Sequence, residues 1–98
     1  FKSHLYKYEY GSGILMHKDH SIKSGARRYG ISFYLNDEWD ANWGGELIVY
    51  ENNEPKDTVM PKRNRLAVVN GNYHKVSPNL NQSVDRLTLQ TFVVKKEN

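Results

Sequence analysis

The chain has 98 residues, a net charge of +3 and no cysteine, which allows one domain with a modest core and excludes disulfide staples and thiolate metal sites. No apolar run approaches the roughly 18 residues a membrane helix needs, and no signal-peptide pattern opens the sequence, so the expectation is a soluble cytoplasmic protein with no membrane partner. The charge is scattered Lys and Arg with Asp and Glu among them, which argues against a dedicated nucleic-acid surface.

Seven Tyr, three Phe and two Trp in so short a chain suit strands better than helices. Leu5-Tyr6-Lys7-Tyr8-Glu9-Tyr10 alternates aromatic with charged residues, the mark of a half-buried strand. Gly11-Ser12-Gly13 reads as a tight turn, and Ile14-Leu15-Met16 as a short apolar run that delivers His17. Residues 20–28 are polar, contain glycine and lack periodicity, so a mobile loop is expected there. A strand follows over 29–35, then a polar excursion over 36–43 closed by Gly44-Gly45. Further strands are expected over 46–50, weakly over 57–60 after the turn-rich 51–55, over 65–70, over 74–76, and over 86–95. About eight short strands and no sustained 3.6-residue period predict an antiparallel sandwich or barrel in one domain over 1–98. Along the last strand Arg86, Thr88, Gln90 and Phe92 share one face, the expected wall of a polar pocket. Leu87, Leu89, Thr91 and Val93 form the other, mostly apolar, which requires a cover. No helix is found in the sequence to supply one, so a trimmed core or a homodimer burying this face is expected.

Chemistry concentrates at His17-Lys18-Asp19. In an extended segment positions 17 and 19 point the same way and Lys18 points away, so an imidazole and a carboxylate can reach one ion. A third ligand must come from elsewhere, and His4, His20 and His74 are the candidates. His74 follows the strand-breaking Gly71-Asn72-Tyr73, a rim position that can aim its ring into a barrel mouth. Two His and one carboxylate on one side of a metal form the facial triad of non-heme Fe(II) oxygenases. An open iron needs a co-substrate that supplies electrons, and a buried Arg86 suits a dicarboxylate, which guanidinium grips through two parallel hydrogen bonds.

The chain resembles the Fe(II)/2-oxoglutarate-dependent dioxygenases, and most nearly the prolyl hydroxylase branch that includes the oxygen-sensing enzymes. The residues that carry the likeness are His17-Lys18-Asp19, Tyr34-Leu35-Asn36, Trp39-Asp40, Gly44-Gly45-Glu46-Leu47, Pro61-Lys62-Arg63-Asn64-Arg65-Leu66, His74-Lys75-Val76-Ser77-Pro78 and Arg86-Leu87-Thr88, in family order. The resemblance implies a double-stranded β-helix (jelly roll) with the metal between its two sheets, and departs from the family in lacking helices ahead of this core. It implies that His17, Asp19 and His74 ligate Fe(II), that Arg86 and Tyr34 hold the distal carboxylate of 2-oxoglutarate, and that Thr88 supplies a supporting hydroxyl. Gln90 and Phe92 follow onto the same pocket by alternation, and either Tyr8 or Tyr10 matches a family tyrosine near the co-substrate. No catalytic side chain is expected beyond these. The implied reaction uses O2, optionally with ascorbate, to hydroxylate a peptide or protein substrate, prolyl by resemblance, releasing succinate and carbon dioxide.

Plainer roles compete for each residue. His20 is expected to be a loop histidine and His4 a solvated strand-edge residue. Arg86 has a structural salt bridge to Asp85 or Glu46 as its alternative, Tyr34 a place in the core, and Trp39 and Trp43 packing or rim positions. Lys23, Arg27 and Arg28 read as a solvated loop face, with a lid as the alternative. Competing functions are a non-catalytic jelly-roll binding module, a cupin-type metalloenzyme without 2-oxoglutarate, and an oxygenase of free amino acids or alkylated nucleic-acid bases. The last calls for a basic groove with stacking aromatics, which the scattered charge does not offer.

Overall fold

The computed structural model describes residues 2–19 and 26–96, with side chains described for 3–19 and 29–93. Within them run β1 (Lys2–Tyr8), β2 (Ile14–His17), β3 (Ala26–Tyr34), a 3₁₀ turn (Ala41–Trp43), β4 (Leu47–Glu51), β5 (Glu54–Val59), β6 (Leu66–Asn70), β7 (His74–Val76) and β8 (Arg86–Lys96). They form two four-stranded antiparallel sheets in the orders β1-β8-β3-β6 and β2-β7-β4-β5. Apart from the β4–β5 hairpin, each connection carries the chain from one sheet to the other. This is the expected double-stranded β-helix, and it brings residues from both ends of the chain to one interior.

Several boundaries differ from the sequence reading. β3 begins at Ala26, so Arg27 and Arg28 belong to a strand rather than a loop. Their pairing with Lys95 and Val94 of the long β8 extends the ladder through residues that have no alternation of their own. His20 and Lys23 lie outside the described residues, as does everything from 20 to 25, where a mobile loop is expected from sequence. β1 ends at Tyr8 rather than Tyr10, which makes only an isolated bridge to Asn79. β5 starts three residues early and contains Pro55. Proline is tolerated there because β5 is an edge strand. Asn52 and Asn53, at φ 51° and 66°, form the tight turn before it, the left-handed pair a two-residue hairpin favours.

Between the sheets the apolar core is small: Tyr8, Tyr34, Leu47, Ala67, Val69 and Val76, with Tyr6, Ile14, Val49 and Val59 against it. Buried polar groups share that space, namely Asn36, His74, Asn79, Arg86 and Thr88. Two asparagines tie the frame around the interior. Asn36, just past β3, donates to the Asp85 carbonyl at 2.8 Å and accepts from the Leu87 amide at 2.7 Å, which fixes the end of β3 to the start of β8. Asn79 donates to the Tyr8 and Val84 carbonyls and accepts from the Asn81 amide, tying β1 to the segment that leads into β8.

The outward face of the first sheet is uncovered by any described residue. Leu5 opposes Leu89, Leu89 and Leu66 flank Phe33, and Val68 opposes Ile31, so these side chains make one apolar row across four strands. Leu5, Leu66, Val68 and Leu89 are exposed. Among the described residues no helix is long and apolar enough to cross a membrane.

Candidate active site

β2 and β7 carry the first part of the site. His17 opposes His74 across their ladder, but the register slips by one residue between Ile14 and His17. Strict alternation puts positions 14 and 17 on opposite faces. A bulge adds one residue and re-aims the strand, so Ile14 and His17 both face the interior cavity while Leu15 and Met16 face out. Asp19 follows past the end of β2. His17, Asp19 and His74 each offer a ligand atom, all within 4.8 Å of one another. His17 Nε2 lies 3.6 Å from Asp19 Oδ1, and His74 Nε2 lies 3.8 Å from Asp19 Oδ2.

The tautomers follow from the backbone. Nδ1 of His17 is 2.9 Å from the Leu15 carbonyl, and Nδ1 of His74 is 2.8 Å from the Asn72 carbonyl. A carbonyl only accepts, so both Nδ1 atoms carry hydrogen, and a neutral ring then has its lone pair on Nε2. This is the orientation of a metal-ligating histidine, with its second nitrogen held by a backbone acceptor. The spacings exceed an N–H···O bond. They lie within about an ångström of the roughly 3 Å between two ligands set at right angles about 2.1 Å from a shared ion. The donor set therefore fits a divalent cation, and two imidazoles with one carboxylate suit iron.

Behind the triad lies a cavity of about 150 Å³, with Tyr6, Tyr8, Ser32, Gln90 and Phe92 on its walls. β8 supplies Gln90 and Phe92 by the alternation expected of it. Ser32 donates to Gln90 Oε1 at 2.6 Å, a polar pair that β3 and β8 hold in register. Deeper still, Arg86 and Thr88 are each only 2 % exposed and Tyr34 is fully buried. Arg86 donates through Nε to the Gly45 carbonyl at 2.7 Å and through Nη1 to Thr88 Oγ1 at 2.8 Å. Its guanidinium stacks over the rings of Tyr8 and Tyr34, at 4.7 and 5.3 Å from their centroids. The alternative salt bridge to Asp85 or Glu46 is not formed, and no described carboxylate pairs with Arg86. Desolvation lowers the pKa of Arg86, opposed by Tyr34 and Tyr8. Burial raises those of Tyr34 and Tyr8, opposed by the guanidinium. The buried Tyr34 hydroxyl meets no partner at good hydrogen-bond geometry, although Ser32 and the Arg86 guanidinium lie near enough to lower its pKa in part.

A buried cation without a counter-charge and a buried hydroxyl without a partner are both costly. Guanidinium and phenol are both donors, so side by side the two can serve one carboxylate. Gly45 makes room for the Arg86 side chain against Trp39. At φ +72° it adopts a conformation that side chains disfavour, and a Cβ there would stand 2.9 Å from Trp39 Cζ2 and 3.2 Å from Arg86 Cδ. Trp39 is buried and donates to the Gly44 carbonyl at 2.7 Å, so it packs beneath Arg86, the plainer of its expected roles. Trp43 packs edge-on against it at 5.3 Å.

The remaining candidates separate cleanly. Tyr8 is buried on the cavity wall, while Tyr10 is 56 % exposed and lies off it. His4 is exposed on β1, its ring 6.4 Å from that of Tyr6, and takes no part in the triad. Tyr6, Ser32, Asn36 and Asn79 were not singled out from sequence for any role. For Tyr6 the signal was there, since it alternates with Tyr8. The others act through pairings across the fold.

Comparison with known proteins agrees with this geometry. A solved prolyl-4-hydroxylase from Pseudomonas putida superposes with a TM-score of 0.79 at 23% identity, over 98% of this chain and 52% of that one, which shows the shared fold. The mouse protein named prolyl 3-hydroxylase OGFOD1 is 33% identical over 92 residues, spanning 85% of this chain. This chain in turn spans 16% of that relative's length. The family model described as the 2OG-Fe(II) oxygenase superfamily matches residues 3–94. With nearly every strand inside that match, the chain belongs to the 2OG-Fe(II) oxygenase superfamily.

Proposed function

We propose that residues 1–98 form the catalytic jelly-roll core of an Fe(II)- and 2-oxoglutarate-dependent dioxygenase that hydroxylates a peptidyl substrate. Prolyl is favoured because the relatives described above are named for it. The observation that carries the reading is the buried Arg86 guanidinium, with no described counter-charge, beside the buried Tyr34 hydroxyl, in the same interior as two imidazoles and a carboxylate that face one point. His17, Asp19 and His74 would hold the iron. Arg86 and Tyr34 would grip the distal carboxylate of 2-oxoglutarate, with Thr88 steadying the guanidinium, Tyr8 and Gln90 lining the chamber, and Tyr10 left outside it.

Bound iron, with 2-oxoglutarate and O2, supplies the oxidising chemistry that ends in succinate, carbon dioxide and a hydroxylated product, with ascorbate as an optional reductant. The chain's own residues place and shield. The Nδ1–H···O=C bonds hold both imidazoles in ligating orientation, and Phe92, Val69 and Val76 keep the chamber partly dry. A cytoplasmic location and a homodimer formed through the uncovered apolar row belong to the same reading. The row exceeds the scattered single exposures normal for a monomer.

Incubating the protein with Fe(II), ascorbate, 2-oxoglutarate and proline-containing peptides should yield succinate and a peptide heavier by one oxygen, both read by mass spectrometry. Succinate without a modified peptide would keep the enzyme and discard the substrate class. No iron-dependent succinate from fully reconstituted protein would leave the non-catalytic binding module as the better account.

A further inference from the structure

Gly30 stands in the middle of β3, a strand hydrogen-bonded on both sides, opposite Phe92 of β8 and Val69 of β6. Glycine weakens a strand interior, and where it is found there it marks a bulge, a bend or a close approach. The ladder through Gly30 runs without a register shift on either side, and its φ is not in the left-handed range. Backbone conformation therefore gives no reason for glycine here. Close approach does. A Cβ on Gly30 would stand 2.9 Å from Asp19 Oδ2, with Gln90 Nε2 at 3.6 Å and the Phe92 ring at 3.7 Å.

The last two are ordinary contacts, so the carboxylate is the only group a side chain would displace. Asp19 Oδ2 is also the oxygen that faces His74 Nε2. Asp19 itself follows the end of β2, and among the described groups its carboxylate faces Nε2 of both imidazoles at 3.6 and 3.8 Å, beyond hydrogen-bond distance.

We propose that Gly30 is a positioning residue of the metal centre: its missing side chain leaves the volume into which the Asp19 carboxylate swings to meet His17 and His74. This rests on the metal-centre reading above and adds a cavity-lining residue that offers no ligand atom of its own. A methyl group at position 30 pushes a flexible carboxylate rather than a rigid backbone, so the apo fold absorbs it easily. The coordination geometry does not. The signature is thus a split between fold and metal.

The test is Gly30→Ala, compared with wild type by Mn(II) titration followed by electron paramagnetic resonance, and by thermal unfolding of both apo proteins. The expected result is an apo melting temperature equal to or above wild type and a loss of Mn(II) affinity of about 10- to 100-fold, the usual range for groups that orient a ligand. Co(II) substitution gives a second readout: the visible absorption band should change in shape and intensity, reporting an altered ligand set. Gly30→Val, with a larger side chain, should lose more affinity than Gly30→Ala. Unchanged Mn(II) affinity in Gly30→Ala would overturn the proposal. So would a loss of apo folding in Gly30→Ala, since Gly30 would then serve strand packing. If wild type takes up no Mn(II), the metal-centre reading fails and this proposal falls with it.

Discussion

Replacing Arg86 by methionine separates the two things a buried arginine can do. The side chain is similar in length but carries no charge. In the protein without co-substrate the guanidinium is 2 % exposed and meets one carbonyl, one hydroxyl and two tyrosine rings, with no described carboxylate. Removing it orphans the Gly45 carbonyl and one Thr88 acceptor, at about 1–3 kcal/mol for each fully buried group. It also relieves the desolvation of a lone buried cation, which is worth several kcal/mol. These oppose each other, so apo stability in urea should change by no more than about 2 kcal/mol. Binding of 2-oxoglutarate has no such offset, because its distal carboxylate would lose the cation proposed to receive it. Removing one partner of a buried charge pair costs about 3–5 kcal/mol, or two to three and a half orders of magnitude in Kd. Isothermal titration of 2-oxoglutarate into the Mn(II)-loaded variant and wild type reads that loss directly. An unchanged Kd refutes the assignment. A collapse of apo stability by more than about 4 kcal/mol refutes the energetic argument, because Arg86 would then be a keystone of the fold.

Tyr34→Phe removes a buried hydroxyl that has no partner, so the apo protein should be as stable or up to about 1–3 kcal/mol more so, while 2-oxoglutarate binding weakens by about 1.5–3 kcal/mol for the lost bond to a charged acceptor. The same variant tests a pH effect. Tyr34 and Tyr8 have pKa values raised by burial, so above about pH 10 the unfolded chain gives up protons that the folded chain retains, and stability falls as pH rises. The contribution is whole below the unfolded value and is lost through the folded one. The lowered Arg86 pKa acts in the opposite direction at still higher pH, so the window to examine begins near pH 10. There Tyr34→Phe should lessen the fall in urea stability by up to about 1.4 kcal/mol per pH unit, one proton's worth, and an identical slope in the variant would contradict this. Mn(II) at 100 times its Kd should add about 2.7 kcal/mol to the unfolding free energy, with a chelator reversing it; equal melting curves with and without metal would count against a native-state site. Self-association through the apolar row should appear in sedimentation equilibrium and be reduced by Leu66→Lys. A monomer at every concentration would remove that part of the reading.

Much of the site could be read from residues alone where the relevant neighbours are close in the chain. His17 and Asp19 are separated by one position, near enough in the chain to reach one ion, although Asp19 lies past the end of β2. Along β8 the two-residue period carries Arg86, Thr88, Gln90 and Phe92 inward and Leu87 and Leu89 outward, and the structure repeats it. Side-chain period is a property of the strand itself, independent of its partner. Strand beginnings were less legible. β3 reaches back to Ala26 and β5 to Glu54 because a neighbouring strand offers pairing groups there, and a backbone ladder does not depend on which side chains it carries.

Composition and two-residue periodicity were enough to give the class of fold and the inward residues of the last strand, and the residue types at His17, Asp19, His74 and Arg86 suit a metal and a carboxylate. How those residues meet came only with the folded chain. The bulge in β2 turns His17 onto the cavity beside Ile14, the Asn79 clasp ties Tyr8, which lies over Arg86, while Tyr10 stays exposed, and Asp19, just past β2, comes within 2.9 Å of where a Cβ on Gly30 of the other sheet would stand. Each is a contact between residues far apart in the chain, and its energy depends on distances that local propensity and periodicity do not encode.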